Sequence, residues 1–142
     1  MTSREDIWRD FVEHYEIEVP QDAVEREEQF IATDIRHRMQ YDAMSGGGLH
    51  LNPRGEIVRQ QEEIHKVAVF EVKSELVMKE ILRAQQFTVT REELEAEAAE
   101  LAKRQNSSIE MIRNFFGDDL ALLERDVKER KAVDWVCAHA DS

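Results

Sequence analysis

Residues 57–86, IVRQQEEIHKVAVFEVKSELVMKEILRAQQ, decide the fold, because their apolar side chains do not fit on one helical stripe. At about 100° per residue, Ile64, Ala68, Met78 and Leu82 cluster on one face. Val69, Val72 and Leu76 fall on a second face, and Phe70, Val77 and Ile81 on a third. The pattern predicts a helix buried on more than one side. Lys66, Glu71, Lys73, Glu75, Lys79, Glu80 and Arg83 interleave with these residues, which excludes a membrane span of about 20 uninterrupted apolar residues. A rod of about 45 Å, at roughly 1.5 Å per residue, is longer than a compact domain of this size needs. An elongated outline is expected.

The rest of the chain supports an all-α fold in a single domain over residues 1–142. Five Gly and two Pro leave long tracts without breakers, and the sequence favours good helix formers. With 31 Asp and Glu against 19 Lys and Arg, the net charge is −12. Without clustered basic residues, nucleic acid is not an expected partner. Only Cys137 is present, which rules out an internal disulfide and a cysteine zinc site. Cys137 reads as a small core residue. The opening Met-Thr-Ser-Arg-Glu-Asp lacks the apolar core of a signal peptide, and the expected location is the cytoplasm, with no membrane partner.

Upstream, Ser3 and Asp6 are spaced to cap a first helix whose apolar face is Ile7, Trp8, Phe11, Val12 and Tyr15. A second helix is expected over 20–44, with Val24, Ile31, Ile35 and Met39 on its stripe and Phe30 and Tyr41 about 100° away. Residues 45–55, SGGGLHLNPRG, are the only breaker-rich segment and form the turn of a helical hairpin spanning 20–86. They are not a phosphate cradle, because no Gly-Lys-Ser/Thr follows.

Downstream, Thr90 and Glu93 form a capping box, with Val89 and Leu94 placed as its staple. The helix they open has Leu94, Ala98, Leu101 and Ala102 on its apolar face. Asn106-Ser107-Ser108 ends that helix, and Ser107 with Glu110 is spaced to cap a short one holding Ile109, Met111, Ile112, Phe115 and Phe116 and ending at Gly117. Asp118 or Asp119 is placed to cap the last helix, with Leu120, Leu123, Val127 and Cys137 on one side and Leu122 and Val133 beside them. These elements form a C-terminal helical group.

The order of elements resembles the C-terminal domain of the bacterial trigger factor chaperones over nearly the whole chain. The likeness rests on Glu16-Ile17-Glu18-Val19-Pro20 opening a long helix and on the mixed spine running into Phe87-Thr88-Val89-Thr90-Arg91-Glu92-Glu93-Leu94. It continues through Ser108-Ile109-Glu110-Met111-Ile112-Arg113-Asn114-Phe115-Phe116 and Lys131-Ala132-Val133-Asp134-Trp135-Val136. The resemblance implies a helical domain with arm-like projections that holds unfolded or newly made polypeptides on an apolar surface, with no cofactor and no enzymatic activity. No stretch matches the family's ribosome-docking segment or its prolyl isomerase domain, so neither activity is expected of these residues. Trp8, Trp135 and the three consecutive glycines depart from the family's pattern.

That family's binding surface has no fixed residue motif, and the candidate client-binding residues come from the apolar pattern alone. They are Phe30, Met39, Tyr41, Met44, Leu49 and Leu51 on the hairpin, with Met111, Phe115 and Phe116 in the C-terminal group. Flexible methionines suit a surface that accepts varied sequences.

Two other classes of function fit parts of the pattern. Asp34-x-x-His37 and Glu62-x-x-His65 have the acid-x-x-His spacing of di-iron helical bundles, one on each long helix. Against this, Asp34 and His37 lie off the apolar stripe, and charged residues on solvated helix faces explain all four. His14, His50 and His139 have no ligand spacing. The third class is an interaction module whose apolar excess is covered by one partner or by a second copy of the chain.

Overall fold

A computed structural model describes residues 3–44, 53–117 and 120–140. Among them the regular elements are all helical: α1 (Arg4–His14), α2 (Gln21–Met44), α3 (Pro53–Arg59), α4 (Gln61–Gln85), α5 (Arg91–Arg104), α6 (Ile109–Phe116), a 3-10 turn (Ala121–Leu123) and α7 (Glu124–His139). No helix among them is long and apolar enough to cross a membrane. The chain divides into two compact units, Val12–Val77 and Met1–Phe11 with Met78–Ser142.

Helix α4 is buried on more than one side, as its pattern requires. Ile64 and Ala68 are buried in its first half, Val77 and Ile81 in its second. The midpoints of these two pairs are separated by about 140° around the helix axis. The helix starts later than the periodicity suggests, because a turn at Gln60 separates it from α3. Hydrogen bonds from Gln60 N to Glu56 O (3.0 Å) and from Ile64 N to Gln60 O (2.8 Å) carry the helical ladder across that joint. Pro53 and Gly55, read from sequence as part of the turn, belong to α3. Proline fits there because the first helical N–H has no intrahelical acceptor anyway.

In the unit Val12–Val77, α3 packs on α2, and Val12, Val24, Ile64, Ala68 and Val77 are the buried residues. Glu28 of α2 reaches His65 of α4 at 2.6 Å. Lys73 Nζ donates to the carbonyl of Glu13 at 3.0 Å. The first contact joins α2 to α4, and the second ties α4 to the end of α1. The turn read from the sequence between the two long helices lies largely outside the described residues.

The other unit is built around Ala98, Ala102, Ile112, Leu120 and Leu123, with Leu94, Leu101, Ile109 and Phe116 packed against them. Val127, Ala132 and Val136 of α7 are also buried. The alanines let α6 and the turn approach α5 closely. Burial of each large side chain here contributes about 2 kcal/mol.

Local signals set the boundaries. Asp6 N donates to Ser3 Oγ at 3.1 Å, as the spacing predicts. Thr90 Oγ1 accepts from Glu93 N at 3.2 Å while Glu93 Oε1 accepts from Thr90 N at 3.1 Å, the reciprocal capping box. Helix α5 ends in a Schellman turn: Ser107 N donates to Ala102 O and Asn106 N to Lys103 O, with Asn106 left-handed at φ 52°. Helix α6 ends at Gly117, whose φ of 96° favours a residue without Cβ.

Two caps differ from the reading above. Ser108, not Ser107, caps α6, accepting from Met111 N at 3.3 Å, because the Schellman turn already uses the backbone of Ser107. The hydroxyl of Ser107 is buried without a hydrogen-bond partner. Helix α7 begins at Glu124 after the 3-10 turn, and Leu123 at its cap makes no side-chain bond. Asp118 and Asp119 lie outside the described residues. Leu120 precedes the turn in the left-handed region, φ 59° and ψ 25°, a strained conformation for a bulky residue. Its side chain is buried in the cluster, which holds it there.

Polar ties join the helices of this unit around the cluster. Lys131 of α7 donates to Thr88 O at 2.6 Å and pairs with Glu93 at 2.6 Å. Arg130 pairs with Glu97 of α5, Arg113 of α6 with Glu95 at 2.5 Å, and Arg4 of α1 with Asp134. Exposed pairs contribute at most about 1 kcal/mol each, so they orient helices more than they hold them. The Lys131 ammonium, followed by the Thr90 backbone N–H, holds the Glu93 carboxyl below its ordinary value of 4.5.

Two outcomes test this account. Ser108→Ala costs about 1 kcal/mol in urea unfolding by removing a cap, whereas Ser107→Ala is neutral or stabilises by up to about 1 kcal/mol by removing an unpaired hydroxyl. For Glu93, the folded carboxyl is more acidic than the unfolded one. Its contribution to stability is fully present above the unfolded value and is lost as pH falls through the folded value. NMR titration should show the Glu93 midpoint rising toward the ordinary range in Lys131→Met.

Candidate functional site

The helices leave two apolar surfaces uncovered. On α2, the inner stripe of Val24, Ile31, Ile35 and Met39 is buried or half-buried. Phe30, Tyr41 and Met44 lie within about 60° of one another, off that stripe. They are 68 %, 72 % and 89 % exposed. The strip they form is about 21 Å long from end to end, at 1.5 Å per residue. His37 shares its face, and Asp34, paired with Arg38 at 3.2 Å, borders it. Charge therefore rims the apolar strip.

The second surface is on α6. Its apolar residues cover an arc of about 160°, wider than one seam can bury. Ile109, Ile112 and Phe116 face the cluster, while Met111 and Phe115 overhang it, Phe115 being 78 % exposed. The two phenyl rings meet edge to face at 4.9 Å. Leu122 is 67 % exposed. A continuous α-helix there would place Leu122 beside the core. In a 3-10 turn, residues three apart eclipse, so Leu120 and Leu123 point the same way and Leu122 points elsewhere.

The candidate residues thus divide. Phe30, Tyr41 and Met44 come together, and Met111 and Phe115 form a separate pair. Met39 is half-buried on the inner stripe of α2, and Phe116 gives part of its ring to the cluster. Leu49 and Leu51 lie outside the described residues. Val58 and Val67 are exposed large residues that the periodicity did not single out.

The metal-ligand spacing is not assembled. His37 lies about 180° around α2 from Glu28, and Glu28 is the residue that meets His65 of α4. Asp34 and His37 therefore face away from Glu62 and His65. Among the described residues no group of three or more His, Cys, Asp and Glu is placed to hold a metal ion.

Comparison with known sequences identifies the lineage. The family profile described as "Bacterial trigger factor protein (TF) C-terminus" matches residues 2–138. The chain belongs to this family. The trigger factor of Bacillus subtilis (strain 168) is 31% identical over 136 residues, covering 94% of this chain and 31% of the relative. That of Alkaliphilus oremlandii is 28% identical over 143 residues, covering 96% and 32%. The trigger factor of Clostridium botulinum (strain Hall) is 30% identical over 129 residues, covering 84% and 28%. The chain thus spans about a third of the length of the curated trigger factors it matches. No solved structure matches. Trigger factor C-termini are a chaperone-type family, and the helical fold expected of them is the one observed.

The division within α6 has a direct test. Phe115→Ser leaves the urea midpoint nearly unchanged, within about 0.5 kcal/mol, whereas Phe116→Ser lowers stability by about 2–4 kcal/mol by opening the cluster.

Proposed function

We propose that this chain is a chaperone domain that binds unfolded or newly synthesised polypeptides on its exposed apolar helical faces, without catalysing a reaction. The observation that carries this reading is the strip of Phe30, Tyr41 and Met44 on α2, large apolar side chains kept on one exposed face and rimmed by charge. Patches of this kind mark binding surfaces. Family membership supplies the class of ligand. A strip of about 21 Å matches about six residues of extended chain at 3.3 Å each, a length that many unrelated sequences provide.

Leu49 and Leu51, which follow α2 in the sequence, remain proposed client contacts. Met111 and Phe115 offer a second contact, while Met39 and Phe116 contribute only their uncovered edges. Methionine at Met44 and Met111 adapts to differently shaped clients. The net charge of −12 keeps a surface with this much exposed apolar area soluble and favours basic or weakly charged clients. Binding of this kind needs no cofactor, and a cytoplasmic location gives access to newly made chains. The acid-x-x-His pairs serve as solvated surface groups in this reading.

The test is light scattering from an aggregating model protein. The wild-type chain suppresses the signal. Phe30→Ser, Tyr41→Ser and Met44→Ser together abolish suppression while helicity and melting temperature stay nearly unchanged. A large fall in melting temperature would show these residues to be core. Full activity in the triple variant would move the client site to Met111 and Phe115.

A further inference from the structure

His37 stands at the middle of the exposed strip on α2. It follows Phe30 by seven positions and precedes Met44 by seven, about 10 Å along the helix axis each way. Around the axis it lies within about 40° of Phe30, Tyr41 and Met44, and like them it is exposed. A client segment laid along the strip therefore crosses the imidazole. The charged groups around it are already engaged with one another. Asp34, one turn back at the border of the strip, pairs with Arg38 at 3.2 Å. Arg26, one turn before Phe30, pairs with Asp22 at 3.2 Å. Arg36 lies about 100° around the helix from His37, and Tyr41 is the other titratable residue of the strip. On α3, the helix packed on α2, Glu56 pairs with Arg59. On α4, His65 takes Glu28, about 180° around α2 from His37.

We propose that His37 makes the strip a pH-sensitive switch: an apolar client segment binds while the imidazole is neutral and is released when the imidazole takes a proton. The proposal rests on the client-binding reading and adds regulation to it. A neutral imidazole offers a flat, partly apolar ring that a client leucine or phenylalanine covers at little cost. An imidazolium under the same segment loses hydration and receives no counter-charge from it. Asp34 does not offset that loss, because the Arg38 guanidinium already holds its carboxylate. Histidine is the side chain whose charge ordinarily changes between about pH 5 and 8. The sign follows from the form that binds. Affinity is fully present at high pH and is lost as pH falls, and at intermediate pH each binding event releases part of a proton.

The experiment is titration calorimetry of the full chain with a capped peptide of Leu, Phe, Ser and Gln, which has no titratable group. Wild-type affinity is expected to fall at least about fivefold from about pH 8 to about pH 5.5, with unchanged helicity. In His37→Gln the ratio of the two affinities drops to about one, whatever their absolute value. At an intermediate pH the wild-type binding heat varies with the ionisation heat of the buffer, because a proton is released, and the heat for His37→Gln does not. Equal wild-type affinities at the two pH values, an undiminished fall in His37→Gln, or a buffer-independent wild-type heat would overturn the proposal. So would a pH dependence that His65→Gln abolishes and His37→Gln keeps, which assigns it to the α2–α4 contact. Each of these results leaves the client reading standing when Phe30→Ser, Tyr41→Ser and Met44→Ser together abolish binding at about pH 8. Undiminished binding by that triple variant sinks the strip itself, and the switch with it.

Discussion

One helix whose buried side turns through about 140° along its length constrains everything else in this chain. The first half of α4 buries Ile64 and Ala68, and the second half buries Val77 and Ile81. Two such faces need different packing partners. The boundary between the two compact units falls within this helix, between Val77 and Met78. Each core is modest in size. The buried residues are mostly valines and alanines, with Leu120 and Leu123 among the few large ones.

Small cores have a second effect, because a chain with this many apolar residues cannot hide all of them. Phe30, Tyr41 and Met44 lie off the buried stripe of α2, and Met111 and Phe115 overhang the α5–α6 seam. The abundant acidic residues offset the solubility cost of that exposure. Few of the carboxylates are needed to hold the fold, since most ion pairs here are exposed and individually weak.

The parts of this fold legible in the sequence are those determined within a few residues. The capping pairs at Ser3 and Thr90, the stop at Asn106 and the glycine terminus at Gly117 are local hydrogen-bonding chemistry, and each is found where its spacing predicts. The errors arose where a neighbouring element claimed a group first. Ser107 has the right spacing for a cap, but its N–H closes the preceding helix, which passes the role to Ser108. Leu122 was misplaced because three residues cannot announce a 3-10 turn by periodicity. Of the candidate site, Phe30 and Tyr41 are legible in the sequence as large residues off the α2 stripe, and Met39 as a residue on it. The division into two surfaces, and the inward placement of Phe116, depend on which faces the packing consumes.

Leu120 couples the backbone to the cluster. A bulky residue in the left-handed region does not adopt that conformation for local reasons, since the isolated peptide loses about 1–2 kcal/mol by doing so. Only the burial of its side chain among Ala98, Ala102, Ile112 and Leu123 repays the strain. The backbone conformation of Leu120 and the closed cluster are therefore coupled, so a change that loosens the cluster also removes what holds Leu120 left-handed.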